Sequence, residues 1–203
     1  MRTRWWVCLC IVLATSACRV VPDDPLRPRF FTPEAPLTSS ATPVDSKGPA
    51  LRLGWVRAAE HLGFRMVYRE DAQVFRFYEQ RRWNESPAVY LERALRRRLF
   101  VEQGLERSVD PHAPTLDVTL LAFEEVHDGK EPWLARVTLA WVLLSDTRHL
   151  GEGTVVVGEA MGPPDKLEDE DTGPLLARSL GHALERAIDE LSRALRPHLE
   201  AKR

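Results

Sequence analysis

The stretch from Val74 to Phe100 constrains the fold more than any other. It reads VFRFYEQRRW and then NESPAVYLERALRRRLF, the order of a strand, a short polar joint and a helix. Val74 to Tyr78 is β-branched and aromatic, with Phe75 and Phe77 on one face and Arg76 and Tyr78 on the other. Ser86 stands where an N-cap belongs, and Pro87 suits the first helical position, where a missing N–H costs nothing. Ala88, Leu91, Ala94, Leu95 and Leu99 then recur at spacings of three and four, an apolar stripe with Glu92, Arg93, Arg96 and Arg97 opposite it. Trp83 falls in the joint, too large to leave in water, and is expected to wedge between strand and helix. A sheet meets the helix that covers it here.

The rest of the folded part is organised around that junction. Leu51, Leu53, Trp55 and Val56 predict a first strand, and Gly63 ends a short connection. Met66 to Arg69 predicts a second strand, joined to Val74–Tyr78 as a hairpin across Glu70 and Asp71. The junction helix is expected to run from Pro87 to about Glu102, with Gly104 as its stop. Thr115 to Val126 predicts a longer strand, with Leu116, Val118, Leu120 and Ala122 on one face and Asp117, Thr119, Leu121 and Phe123 on the other. Trp133 to Leu144 and Leu150 to Ala160 continue a meander, with turns at His127–Lys130 and Ser145–Thr147. A last helix from Pro174 to about His198 carries one stripe, Leu176, Leu180, Leu184, Ala187, Ile188, Leu191 and Leu195. The fold class is α+β: a mainly antiparallel sheet of about six strands, covered on one side by two longer helices.

The N-terminal part is of another kind. Arg2 and Arg4 precede the apolar run Trp5–Leu13, and residues 1–17 read as a secretory signal, too short to span a bilayer. ATSAC resembles the lipobox of bacterial lipoproteins, which makes Cys18 the expected lipid attachment site. Thr15 stands where Leu is usual, and an ordinary signal peptidase would cut at the same bond. Residues 18–49 hold seven prolines from Pro22 to Pro49, with Phe30 and Phe31 as the only aromatics. They are expected to form a tether too poor in apolar surface to order itself, about 30 Å long as a coil and roughly 95 Å as polyproline II. The folded domain is expected over residues 50–203.

Charge and cysteine content exclude several chemistries. The formal charge is −2; setting aside Arg2 and Arg4 leaves 26 of the 28 basic residues against 30 acidic ones, which argues against a general nucleic-acid binder. The three cysteines are Cys8, Cys10 and Cys18, so residues 50–203 contain no disulfide, thiol nucleophile or Cys-based zinc site. No nucleophile elbow, zinc-binding HExxH or P-loop occurs. Gly151-Glu152-Gly153 precedes a strand instead of opening a helix and makes a poor phosphate cradle. The acidic run Glu168–Asp171 has the wrong spacing for a calcium loop and reads as charge at a helix N-terminus. Glu124 and Glu125 point to opposite faces of a strand and read as its wet end. His182 falls opposite the apolar stripe and reads as a surface residue. Neither metal nor cofactor is expected. The arginines around the junction are the one unusual cluster: Arg81, Arg82 and Arg98 are candidate contacts for a partner or an anion, and Trp83 and Pro87 form the structural junction.

The segments LRLGWVRAAEHL, MVYRE, FRFYEQRRWNESPAVYLERALRRRLF and TLDVTLLAFEEV resemble, in this order, the ABC-type transport auxiliary lipoproteins, the family of paraquat-inducible protein C. The resemblance spans Leu51 to the end of the last helix, and its most specific part is the Trp-x-x-x-Pro joint of Trp83 and Pro87. It implies a non-catalytic periplasmic lipoprotein, anchored in the outer membrane and partnered with an ABC-type lipid transport system. The expected partner is the system's periplasmic protein with mammalian-cell-entry domains; no nucleic acid is implied, and a homo-oligomer is allowed. The alternatives are a lipoprotein adaptor in lipopolysaccharide export or cell-wall synthesis, and an envelope hydrolase.

Overall fold

The structure is a computed structural model, and it describes residues 27–33, 48–127, 133–146, 148–161 and 172–200. Cys18, most of the tether, the turn at 128–132, Thr147 and the acidic run at 168–171 lie outside the described residues.

Eight strands form one sheet: β1 (Arg29–Phe31), β2 (Ala50–Ala58), β3 (Arg65–Arg69), β4 (Phe75–Trp83), β5 (Glu106–Arg107), β6 (Thr115–Val126), β7 (Leu134–Ser145) and β8 (Arg148–Ala160). Helix α1 (Pro87–Arg96) continues into a π-helical turn, Arg97–Glu102, and helix α2 spans Gly173–Glu200. The class is α+β, as expected, but the sheet is mixed. β3/β4, β6/β7 and β7/β8 are antiparallel, whereas β1/β4, β2/β5, β2/β6 and β3/β6 are parallel. The parallel partners are far apart in sequence, which is why a reading from neighbouring segments misses them.

β6 is the axis of the sheet. One of its edges takes β7 along the whole strand. The other is shared, β2 lying beside Thr115–Leu120 and β3 beside Glu124–Val126. The register of β6 against β7 slips between Leu120 and Ala122, where one partner gives way to the other. A slip of one residue exchanges the faces of a strand. Leu116, Val118 and Leu120 point into the core before it and Phe123 after it, while Leu121 is left exposed. The uninterrupted alternation expected for this strand, with Phe123 grouped on the face of Asp117, is corrected accordingly.

Both helices cover the same face. The α2 stripe from Leu176 to Leu195 is buried as expected, and Tyr90, Leu91, Leu95 and Leu99 close the core beside it. Arg97 bonds Glu185 and Arg98 bonds Asp189, so the two helical segments are stitched together along their rims. Ser86 caps α1 with its backbone: its carbonyl accepts the Val89 N–H at 2.9 Å, and its hydroxyl makes no cap bond. Gly104 adopts φ 66° and ends the helical segment, with the Leu105 N–H on the Leu99 carbonyl at 3.1 Å. Gly151 and Gly153 serve packing: a Cβ at either would stand within 3 Å of the His198 or the Trp141 ring. The opposite face of the sheet carries no helix among the described residues, and Leu121 and Val156 are exposed there.

Two further expectations are corrected. The strand of the junction does not stop at Tyr78; it runs to Trp83, the last residue of β4, which is 1% exposed. The tether is not bare throughout. Arg29–Phe31 pairs in parallel with Arg81–Trp83, the Asn84 N–H bonds the Phe31 carbonyl at 2.8 Å, and Phe31 is buried in the main core. A segment too poor to build a core of its own is ordered by adding itself to an existing sheet edge.

Candidate functional site

The β3–β4 hairpin is set by Asp71, whose Oδ1 accepts the N–H groups of Gln73 and Val74 at 2.7 and 2.8 Å. Beyond this turn Tyr68 of β3 and Tyr78 of β4 lie on one side of the hairpin with ring centroids 4.8 Å apart. The end of β6 and the residue before β7 add His127 and Trp133, stacked at 4.0 Å, and His127 also stacks on Tyr68 at 5.6 Å. These aromatics floor an open groove of about 920 Å³.

Beneath the floor sits Glu125, wholly buried. Its Oε2 accepts the Tyr78 hydroxyl, and its Oε1 lies 3.0 Å from His127 Nε2. Burial, with the neighbouring carboxylate second, pushes the Tyr78 hydroxyl above its ordinary range, so it stays protonated and donates. Glu124 points the other way and is equally buried, taking Arg69 in a two-point contact at 3.0 and 3.1 Å and Arg136 across the strand pair. The two glutamates are therefore separate, as the alternation of a strand requires, but they are not the wet end of β6. Glu124 is held by two arginines from neighbouring strands, and Glu125 by the Tyr78 hydroxyl of β4 with His127 beside it.

Arginines rim the groove. Arg65 stacks over Phe77 at 4.8 Å and Arg81 over Tyr78 at 4.2 Å. Arg76 bonds Glu70 at 2.8 Å, and that bond raises its pKa. The groove thus has flat rings below and guanidinium groups at its rim, with the Tyr78 hydroxyl committed to Glu125 beneath it.

Of the arginines singled out from the sequence, only Arg81 lines the groove. Arg82 bonds the carbonyls of Tyr78 and Arg81 at 3.0 and 3.1 Å. Arg98 is engaged with Glu102 at 2.5 Å and Asp189 at 2.6 Å, within the helical layer. The structure does not bring these three together. Trp83 meets Tyr90 of α1 and Phe123 of β6, and Pro87 is buried at the start of α1. The residues missed were Tyr68, Tyr78, His127, Trp133 and the buried Glu125. The signal available for them was the polar ending EEVH of a long strand, too short to bury unless partners come from elsewhere. Among the described residues no group of three or more His, Cys, Asp and Glu side chains is arranged to hold a metal, and no helix is long and apolar enough to cross a membrane.

No family model matches the chain, and no curated protein does. Solved structures match its fold. Protein XCC0632 from Xanthomonas campestris, of family model DUF330, is similar with a TM-score of 0.68 and 18% identity over 86% of this chain and 98% of that one. An uncharacterized protein is similar at 0.59, with 14% identity over 83% and 99% of the two chains. The hypothetical protein CT253 from Chlamydia trachomatis is similar at 0.51, with 7% identity over 76% and 99%. At these identities the likeness is one of fold.

Proposed function

We propose that this chain is a non-catalytic lipoprotein adaptor, anchored through Cys18 on the periplasmic face of the outer membrane, that docks the periplasmic protein of an ABC-type lipid transport system. The observation that carries the reading is the Trp83-x-x-x-Pro87 joint, which the structure places at the meeting of β4, α1 and β6. The fold shared with the DUF330 structure and the arginine-rimmed groove support it. Mechanistically, the domain holds the transporter's mammalian-cell-entry protein while the anchor keeps that end at the membrane. Anchoring acts through effective concentration, about millimolar for a short linker such as the one from Cys18 to β1.

The test is a pull-down from envelope extracts with the full-length protein, together with mass spectrometry of the mature N-terminus. Capture of a mammalian-cell-entry-domain protein and an acylated Cys18 are the expected results. Turnover of an envelope substrate without any captured transporter component would overturn the adaptor reading, and an unmodified Cys18 would overturn the anchor.

A further inference from the structure

Trp55 is 67% exposed, although the alternation set by Leu51 and Leu53 would carry it into the core. A β-bulge turns it out. Leu53 pairs with Leu116 and Val56 with Val118, so Gly54 and Trp55 together stand opposite the single residue Asp117. Asp117 Oδ1 fixes the bulge by accepting the Trp55 N–H at 2.7 Å, and Val56 packs against the core where the indole would otherwise go. The indole is thereby left on the face of the sheet that carries no helix among the described residues.

Around it, Arg52, Thr115, Asp117, Leu144 and Asp146 complete an open groove of about 480 Å³. That size falls within the roughly 300–1,000 Å³ of small-ligand clefts. Its polar groups are mixed. Arg57 sits over the indole at 4.9 Å and still leaves most of the ring open. Arg52 donates its Nε–H to Thr115 Oγ1 at 2.9 Å, and its other guanidinium N–H groups have no partner among the described residues. Asp146 Oδ1 lies 2.6 Å from His112 Nδ1. Two guanidinium groups therefore accompany two carboxylates, and a groove so balanced favours neither an anion nor a cation.

We propose that the Trp55 groove binds a neutral saccharide. A pyranose presents C–H groups on its face, which lie flat on an indole, and hydroxyls on its edge, each both donor and acceptor. Asp117 and Asp146 supply acceptors for those hydroxyls and Arg52 supplies donors. A strongly charged ligand of either sign meets like charge in the same groove. The inference goes beyond the adaptor reading and does not rest on it.

The probes are a trimer of N-acetylglucosamine, a trimer of glucose and methyl glucoside, titrated calorimetrically against the full-length protein, with acetate and tetramethylammonium as charged controls. At least one sugar is expected to bind saturably with a Kd of about 1 mM or tighter. A trimer binding about tenfold tighter than the methyl glucoside assigns the site to a glycan chain, and equal affinity assigns it to a single ring such as a lipid's sugar headgroup. Trp55→Ala is expected to weaken binding at least about tenfold with the melting temperature unchanged, and Trp55→Phe, which keeps a flat ring, to weaken it less. Asp146→Asn, which tolerates the positive φ of that turn, should cost about fivefold. Absence of binding by all three sugars, unchanged affinity in Trp55→Ala, or equal affinity for either charged control overturns the proposal. So does loss of a captured protein in a Trp55→Ala pull-down without any sugar binding, which would assign the indole to a protein partner.

Discussion

The indole of Trp83 meets the ring of Phe123 at a centroid distance of 5.0 Å and a tilt of 52°. One residue closes β4 and the other follows the slip in β6, so this contact ties the hairpin to the strand at the centre of the sheet. Both side chains are almost fully buried. Trp83→Ala is expected to destabilise the domain by about 3–5 kcal/mol. Arg96→Ala, on a half-exposed pair with Glu92, is expected to change it by less than about 0.5 kcal/mol. Denaturant melts of the two variants check the order, and the reverse order would place the helix in the wrong rotation.

Phe31 stands opposite Trp83 across the β1/β4 pairing, so the tail contributes to stability. Phe31→Ala is expected to cost about 3 kcal/mol and to lower the melting temperature by roughly 6–12 °C. A truncated form beginning at Gly48 should melt lower than one beginning at Arg27. Equal melting temperatures would show that β1 adds nothing.

Gly54 marks an irregularity between β2 and β6, where the Trp55 N–H bonds Asp117 Oδ1 at 2.7 Å. A Cβ on Gly54 would lie 2.1 Å from that same oxygen and 2.8 Å from Thr115 Cγ2. Gly54→Ala is expected to cost about 2 kcal/mol in the parent. In an Asp117→Gly background the added cost should be smaller, and a double-mutant cycle reads the difference. Additivity would locate the strain in the backbone instead of in the carboxylate.

Removing Glu124 would strip Arg69 and Arg136 of a shared, fully buried partner. Glu124→Ala is expected to destabilise by about 3 kcal/mol. Glu92→Ala, a surface control, should fall below about 0.5 kcal/mol in the same urea titration.

Tyr78 supplies a pH test. Its pKa is raised above the ordinary 10.0 in the folded state, chiefly by burial. The unfolded chain then loses this proton first, so the contribution is complete below pH 10 and declines as the pH rises further. Tyr78→Phe removes that part of the alkaline loss, at the cost of a bond to Glu125. Stability measured from pH 9 to 11 should therefore fall less steeply for the variant than for the parent. Parallel slopes would sink the assignment.

The elements that local periodicity specifies were legible in the sequence. The α2 stripe, the β3–β4 hairpin, the helix from Pro87 and the Gly104 stop each depend on residues within a few positions of one another. What escaped depends on distant partners. Phe31 is buried only because β4 offers an edge, and Phe123 faces the core only because β6 slips where β2 yields to β3. Glu124 and Glu125 look like a solvated end until Arg69, Arg136 and Tyr78 arrive from other strands. For the same reason the groove was visible only through Arg81, while its aromatic floor was not.

The shared edge of β6 also sets an order of assembly. Arg52 of β2 finds Thr115 of β6 across a sequence separation of 63 residues, and β3 waits on the far end of the same strand. A chain made from its N-terminus can close the β3–β4 hairpin early, but β2 and that hairpin have no common strand to join until β6 follows. β6 and β7, neighbours in sequence, form the earliest long pairing available, and the older strands are recruited onto it afterwards. Closing loops of that length is slow, which places folding toward the millisecond-to-second end of the range for small domains. For these parallel pairings, the strand made last is the one on which the earlier ones assemble.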